Sequence, residues 1–322
     1  MTFTEEQLKS FAAPLSVTEE EQCKNVVSMV RDALKRLGYV DEGQGLSKLY
    51  EDINDPTFSY QLYMRQPNSG KEIKIFLQGS YANNTNVRRQ CDVDIAIVEE
   101  DIFQAEYPPG ITKERYGFRD ANVISNFKDD VENALIAKFN GDIERRNKSI
   151  KIHGNSYRKD ADGVPCRRFR DYRQDAYLNP NNFVGGIVIL ADDGSRIINY
   201  PEQHLQEGRN KNNATNYYYK KMVRIAKKIC NIMQGLNINS ALDISSFGLE
   251  SLLWNIPDDI YINGSIYRYT FQRILLYLSG NINLLPYYKE ANGIKQLCEG
   301  RAETLKYAAF IADLYSFYDY NS

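Results

Sequence analysis

Two aspartates one residue apart open an apolar strand in this chain, and a Gly-Ser break stands shortly before them. The stretch runs from Leu77 to Val98, LQGSYANNTNVRRQCDVDIAIV. The apolar run Ile73 to Leu77 reads as a strand. Gly79-Ser80 interrupts it, Tyr81 to Asn86 reads as one or two turns of helix or helical loop, and Asp92 to Val98 reads as a second strand. Side chains two apart on a strand share a face, with Cα atoms roughly 6.6 Å apart. Strands disfavour Asp, and two like charges repel, so Asp92 and Asp94 together call for a cation. Mg²⁺ takes about one or two carboxylates along with substrate phosphates, and paired catalytic metals lie about 3.5–4 Å apart. Gly79 lets backbone approach a ligand closely. Ser80 offers an amide and a hydroxyl near a helix start, where anions are favoured. Each piece alone is an ordinary turn or a solvated edge. Their conjunction, a phosphate cradle beside a metal-binding strand, points to nucleotide chemistry.

The 322 residues exceed one typical core, so two lobes or one elaborated domain are expected. A hydrophobic share of 43% argues against disorder, and a net charge of −2 against a molecule that binds nucleic acid over its whole surface. The five cysteines lack CxxC pairs, the pattern of a reduced, cytoplasmic protein, and two histidines supply little imidazole chemistry. The polar start MTFTEEQLKS carries no targeting signal. No apolar run approaches ~18 residues, so no membrane span is expected.

Helical spacing predicts helices over Thr4 to Phe11 and Thr18 to Leu37, with Gly38 as a stop. Residues 41–70 read as mixed and Glu99 to Arg119 as loop. Ala121 to Phe139 reads as helix, Ser149 to His153 as a strand, and Gly185 to Ser195 as the centre of a hairpin. From Asn216 onward the chain reads helical: Asn216 to Gly235, Ser246 to Trp254, Tyr267 to Leu278 and Ile294 to Tyr318. Glu250 falls among apolar residues, where a carboxylate needs a partner.

The GSYANNTNVR…DVDIAIV stretch resembles the signature of the DNA polymerase β-like nucleotidyltransferases and, within them, the bacterial cGAS/DncV-like nucleotidyltransferases, clade E in particular. Further along, D-A-D-G-V-P (Asp160 to Pro165), N-Y-P-x-x-H (Asn199 to His204) and K-N-x-x-T (Lys211 to Thr215) followed by a basic helix are similar to the same family. Gly163 departs from the pattern, which is apolar there.

The resemblance implies an α+β fold. A polymerase β-like lobe of mixed sheet and helices (residues 1–205) is followed by a helical C-terminal lobe (206–322), and a long N-terminal helix joins them. It implies two Mg²⁺ ions, with Mn²⁺ as substitute, on Asp92, Asp94 and a third carboxylate. Asp162 is that third ligand by position, and Asp160, on the same strand face, is the alternative. It implies a nucleotide-binding set of Gln78, Gly79, Ser80, Tyr200, Lys220 and Arg224. The implied reaction joins NTPs, ATP and/or pyrimidine NTPs, into a cyclic dinucleotide or oligonucleotide. A separate effector reads this product in anti-phage defence, with no stable nucleic acid or membrane partner. Two rival readings are a nucleotidyltransferase with another acceptor (an RNA 3′ end, a protein or a small molecule) and an inactive nucleotide-binding module.

Overall fold

The computed structural model describes residues 1–55, 57–87, 92–119, 126–262 and 266–319. Its strands are β1 (Val40–Lys48), β2 (Tyr60–Arg65), β3 (Glu72–Gln78), β4 (Val93–Glu106), β5 (Ile143–Arg145), β6 (Ile150–Ile152), β7 (Ala161–Asp171), β8 (Val184–Leu190) and β9 (Arg196–Asn199). They form one mixed sheet in the order β1-β2-β3-β4-β7-β6-β5, with β8 and β9 continuing from the far half of β7. The helices are α1 (Glu5–Ala12), α2 (Val17–Leu34), α3 (Gly79–Ala82), α4 (Phe127–Phe139), α5 (Pro201–Ala214), α6 (Tyr219–Gly235), α7 (Asn239–Leu242), α8 (Ser246–Trp254), α9 (Asp258–Ile262), α10 (Tyr267–Gly280) and α11 (Arg301–Phe317).

The period of two in β4 separates two jobs. Val93, Ile95 and Ile97 join Ile75, Leu77 and the inner faces of α2 and α4 in the main core of the sheet lobe. Asp94, Ala96 and Val98 point the other way, where Ala96 and Val98 meet Phe76, Val164 and Ile187 in a smaller core. The carboxylate thus extends a packed apolar row at the end of the sheet. Pro165 is tolerated in the middle of β7 because it falls between the residues paired to β6 (161–163) and those paired to β8 (167–171). Gly163 faces the main core, where Leu135 Cδ1 and Ile97 Cδ1 stand 3.6 and 3.7 Å from the place a Cβ would take. Neighbouring side chains therefore fill the space that the family's apolar residue would occupy.

The N-terminal segment folds as the two helices expected, and α2 is the long one. Pro14 cannot continue α1, Ala13 is extended at ψ 136°, and Ser16 with Glu19 forms a second capping box that starts α2. The break divides the segment's loyalties. Phe3, Leu8 and Ala12 are buried in the core of the helical lobe, whereas Val26, Val27 and Val30 of α2 are buried in that of the sheet lobe. Residue 205 lies inside α5, so the chain passes from sheet to helical lobe along a continuous helix.

Other expectations shift as well. The expected loop after Glu99 is largely strand: β4 crosses an irregularity between Glu99 and Phe103 and pairs on to Asp171, supported by ion pairs Arg167–Glu99 and Arg168–Glu100. Residues 41–70 hold an antiparallel pair, β1 and β2. The last helix begins at Arg301, behind Gly300 at φ 98°, rather than at Ile294. Of the helix expected from Ala121, the described part begins at Phe127, and 121–125 lie outside the described residues. Cys23, Cys166, Cys230 and Cys298 are buried free thiols, and Cys91 lies outside the described residues.

Candidate active site

The strand register assembles the site. Gln78 of β3 pairs with Asp94 of β4, Asp94 with Asp162 of β7, and Asp162 with Lys151 of β6. Directly opposed residues share a face, so these four side chains make one row across four strands. Asp92 stands just before β4, on the same face as Asp94. Asp160 precedes β7, is exposed, and accepts the Gly154 amide at 3.0 Å. That bond, more than Lys151, holds its carboxyl below the usual range. The register therefore sets Asp162, not Asp160, beside Asp94.

Gly79 closes the row from above. Its φ is +68°, and a Cβ there would lie 2.6 Å from Asp94 Oδ2. Only glycine permits that approach without a shift. Ser80 follows, half-buried, in the short α3.

Burial, then the charges of Asp162 and Asp92, push the Asp94 carboxyl up to about 7 against the pull of Lys151. Lys151 is itself buried, and its ammonium touches Asp92 and lies 3.8 Å from Asp160. Asp162 accepts from Ser149 at 3.1 Å and lies 3.8 Å from Arg146. Among the described residues, no three Asp, Glu, His or Cys side chains already gather around one point. The donor set nonetheless fits a hard cation: oxygen ligands only, more negative charge than one lysine balances, and a carboxylate driven toward its neutral form for want of counter-charge.

A cavity of about 290 Å³ opens on this row between the lobes. The sheet lobe contributes Gln78, Gly79 and Asp94, and the helical side contributes Phe247, Glu290 and Asn292. Asn199, Tyr200, Pro201 and His204 line it where β9 passes into α5. Tyr200 is buried, and its hydroxyl donates to Asp171 at 3.1 Å, which fixes the ring. Four residues expected from the sequence, Gln78, Gly79, Asp94 and Tyr200, thus meet in one cavity, with Asp92 and Asp162 on the adjoining strand ends.

The model of the cGAS/DncV-like nucleotidyltransferase C-terminal helical domain matches residues 206–319. A cyclic GMP-AMP synthase of Staphylococcus schleiferi is 46% identical over 100% of this chain and 98% of its own length. The cyclic dipyrimidine nucleotide synthase of Cecembia lonarensis is 33% identical over 92% of this chain and 90% of its own. The chain belongs to the cGAS/DncV-like nucleotidyltransferases. Its structure superposes on the cyclic dinucleotide synthase of Elizabethkingia meningoseptica, solved with GTP and Apcpp, with a TM-score of 0.72 at 28% identity over 98% of both chains. As a member of the CdnE branch of this family it is an enzyme, a nucleotidyltransferase that makes cyclic nucleotides.

Lys220 and Arg224 have other work than contact with a triphosphate at this cavity. Lys220 is buried and salt-bridged to both Asp55 oxygens at 2.8 and 2.7 Å. Arg224, also buried, donates to the Ala12 and Asn84 carbonyls. Neither lines the Asp94 cavity. They tie α6 to the sheet lobe and to the α1–α2 turn.

Glu250 has the partners its position demands. It accepts from Lys227 at 2.7 Å and from Thr85 at 2.7 Å, and it meets His204 at 2.8 Å. Burial alone would raise its carboxyl, yet the charges of Lys227 and His204 hold it well below the usual range. The group fastens α5, α6 and α8 to the loop behind α3, which carries the Gly-Ser cradle. Glu250→Gln leaves Lys227 without its counter-charge, and we expect a loss of about 3 kcal/mol of stability, the low end for a broken buried pair. Because the folded carboxyl is depressed, its stabilisation is full above roughly pH 4, the unfolded value, and drains as pH falls below it. Urea unfolding of both proteins at pH 7 and pH 3 checks the loss and its narrowing.

Lys151 and the helical-lobe residues Phe247, Glu290 and Asn292 carry no local signal in the sequence. Asn199 and His204 do, as the ends of N-Y-P-x-x-H.

Proposed function

We propose that this enzyme is Mg²⁺-dependent and joins ATP and GTP into a cyclic dinucleotide. The observation that carries the metal reading is the Asp94–Asp162 register with Asp92 beside it, capped by Gly79 at the mouth of the interlobe cavity. Support for the purine pair is the product for which the 46% identical relative is named, whereas relatives at 33% and 32% are named for pyrimidines. Bound by Asp92, Asp94 and Asp162, two Mg²⁺ ions would neutralise the donor triphosphate and lower the pKa of the attacking ribose hydroxyl. The chain does the rest. Ser80 holds the donor phosphates through its amide and hydroxyl, with Gln78 and Gly79 shaping the cradle. Tyr200, its ring fixed by Asp171, faces the base. Asp162 accepts the hydroxyl proton as that oxygen attacks the α-phosphorus and pyrophosphate leaves. The linear product then turns in the same cavity, and a second attack closes the ring. In this reading the enzyme works in the cytoplasm, and a separate effector reads its product in defence against phage. Among the described residues, no helix is long and apolar enough to cross a membrane.

Incubation with four NTPs and Mg²⁺ or Mn²⁺, followed by separation of products by mass, tests the reading. A cyclic GMP–AMP mass supports it. Cyclic products containing pyrimidines overturn the base assignment and keep the reaction. Labelling only of an added acceptor overturns the proposal.

Ser80→Ala tests the cradle. A hydrogen bond to a charged group is worth about 1.5–3 kcal/mol, so NTP affinity should fall roughly 10- to 150-fold with metal binding unchanged. Titration calorimetry with a non-hydrolysable NTP measures both, and unchanged affinity would leave Gly79-Ser80 as a plain turn.

A further inference from the structure

Of the row across the four strands, Lys151 is the member that the proposed reaction leaves without a part. It is the middle residue of β6, opposite Asp162 and between Ile150 and Ile152. The two isoleucines lie in the main core of the sheet lobe, so strand alternation turns Lys151 to the carboxylate face. All three side chains are buried. A buried ammonium is costly without a counter-charge, and an apolar side chain would fill the same place at no such cost.

The counter-charge is Asp92, whose Oδ2 the ammonium touches. Asp160 Oδ1 is 3.8 Å away, but that carboxylate is exposed and already accepts the Gly154 amide. Among the described residues, no other basic side chain pairs with Asp92. The charge of Lys151 also reaches Asp94, where it opposes those of Asp162 and Asp92. Arg146, 3.8 Å from Asp162, is exposed, and water weakens its share. One enclosed cation thus serves three carboxylates. An ammonium and a hard dication seek the same oxygens. A metal ion that takes Asp92 must either draw the carboxylate away from Lys151 or bind against the ammonium's charge, and both lower its affinity.

Given the metal reading of Asp92, Asp94 and Asp162, on which this rests, we infer that Lys151 is a built-in competitor of the metal ions. Its ammonium claims the Asp92 carboxylate, positions it in the row, and keeps the affinity for free metal low. Lys151 is in this sense a positioning residue that acts through Asp92 and takes no part in the chemistry.

Electron paramagnetic resonance of free Mn²⁺, followed in titrations without nucleotide, reads the affinity directly. Lys151→Met should bind Mn²⁺ at least about tenfold more tightly than wild type, because a unit charge a few ångströms from a dication acts with little screening at an enclosed site. Lys151→Arg keeps the charge and should stay within about threefold of wild type. Removal of a residue that only supports its strand would leave the affinity unchanged or lower it, so the sign separates the two roles. In EDTA, Lys151→Met should melt at least about 2 °C below wild type, since the acids lose their enclosed counter-charge. Added Mn²⁺ should close that gap, because the tighter binder gains more from it. Should Lys151→Met fail to fold by circular dichroism, Lys151→Gln takes its place with the same direction of change. Mn²⁺ affinity that is unchanged or weaker in the neutral variant overturns the competition. So does tightening in Lys151→Arg as great as in Lys151→Met, which would take the charge out of the cause. In both cases wild-type binding that is lost in Asp94→Asn leaves the metal reading standing. Absence of Mn²⁺ binding from wild type and every variant overturns the metal reading, and the competition with it.

Discussion

Asp94→Asn is expected to lower turnover at least ~10³-fold, the scale on which single electrostatic groups act in catalysis, while the protein stays folded. Asp94 is the middle of the row: it pairs with Gln78 on one side and Asp162 on the other, and Gly79 lies against its carboxylate. Asn keeps the shape and removes the charge. The apolar neighbours on that face, Ala96 and Val98, pack without help from the carboxylate. Metal-free stability should rise rather than fall, and the sign follows from the carboxyl's position. Burial and the charges of Asp162 and Asp92 raise it from the usual range to about 7. Between about pH 4 and 7 the folded protein holds a proton that the unfolded chain, with a carboxyl near ~3.9, has lost. Stability in EDTA therefore declines through this group as pH rises across that window, and the penalty is complete above it. Asn removes the penalty, so the melting temperatures of the two proteins in EDTA should diverge from pH 5 to pH 8 with the variant higher. Activity near wild type at saturating Mg²⁺ would sink the assignment.

How much of this was legible depends on whether a feature is local. Asp92, Asp94 and the Gly-Ser break could be read because the strand period alone places the carboxylates on one face, and the resemblance then gave them a chemistry. The first helix, expected from Thr4 and observed from Glu5, and the helix α8 were legible for the same reason. Lys151 was not. Seen alone, Ile150-Lys151-Ile152 is an ordinary alternating strand, and only its pairing with Asp162 brings the ammonium to Asp92. Such a register joins residues far apart in sequence and leaves no trace in either segment. The contacts of Lys220 and Arg224 were not legible for a related reason. A basic stripe beside an apolar one reads as a solvated face or an anion grip, but α6 is wedged between the lobes and buried on most sides. Its inward cations meet Asp55 and Glu250, acids supplied by segments up to 165 residues away in sequence. Burial of the whole helix, which decides between these readings, is a tertiary property.

The third carboxylate gives the sharpest contrast. Asp162→Asn is expected to be as inactive as Asp94→Asn, at least ~10³-fold down, whereas Asp160→Asn keeps measurable turnover. From the sequence both aspartates face one side of a strand. The structure separates them by environment. Asp162 lies within the β4–β7 ladder opposite Asp94, half-buried, with Ser149 on one oxygen. Asp160 lies before the ladder, exposed, its carboxylate caught by the Gly154 amide. That bond secures the turn before β7, and Asn keeps an acceptor for it, so Asp160→Asn should cost local stability by no more than about 1 kcal/mol at this exposed position, rather than chemistry. Asp162→Asn should lose metal binding as well, a readout that needs no turnover: Tb³⁺ luminescence titrations should show affinity weakened by Asp162→Asn and near wild type for Asp160→Asn. If Asp160→Asn is the variant that loses both metal and activity, the strand must shift by two residues when the cation binds. The Asp94–Asp162 pairing would then be a feature of the metal-free protein alone.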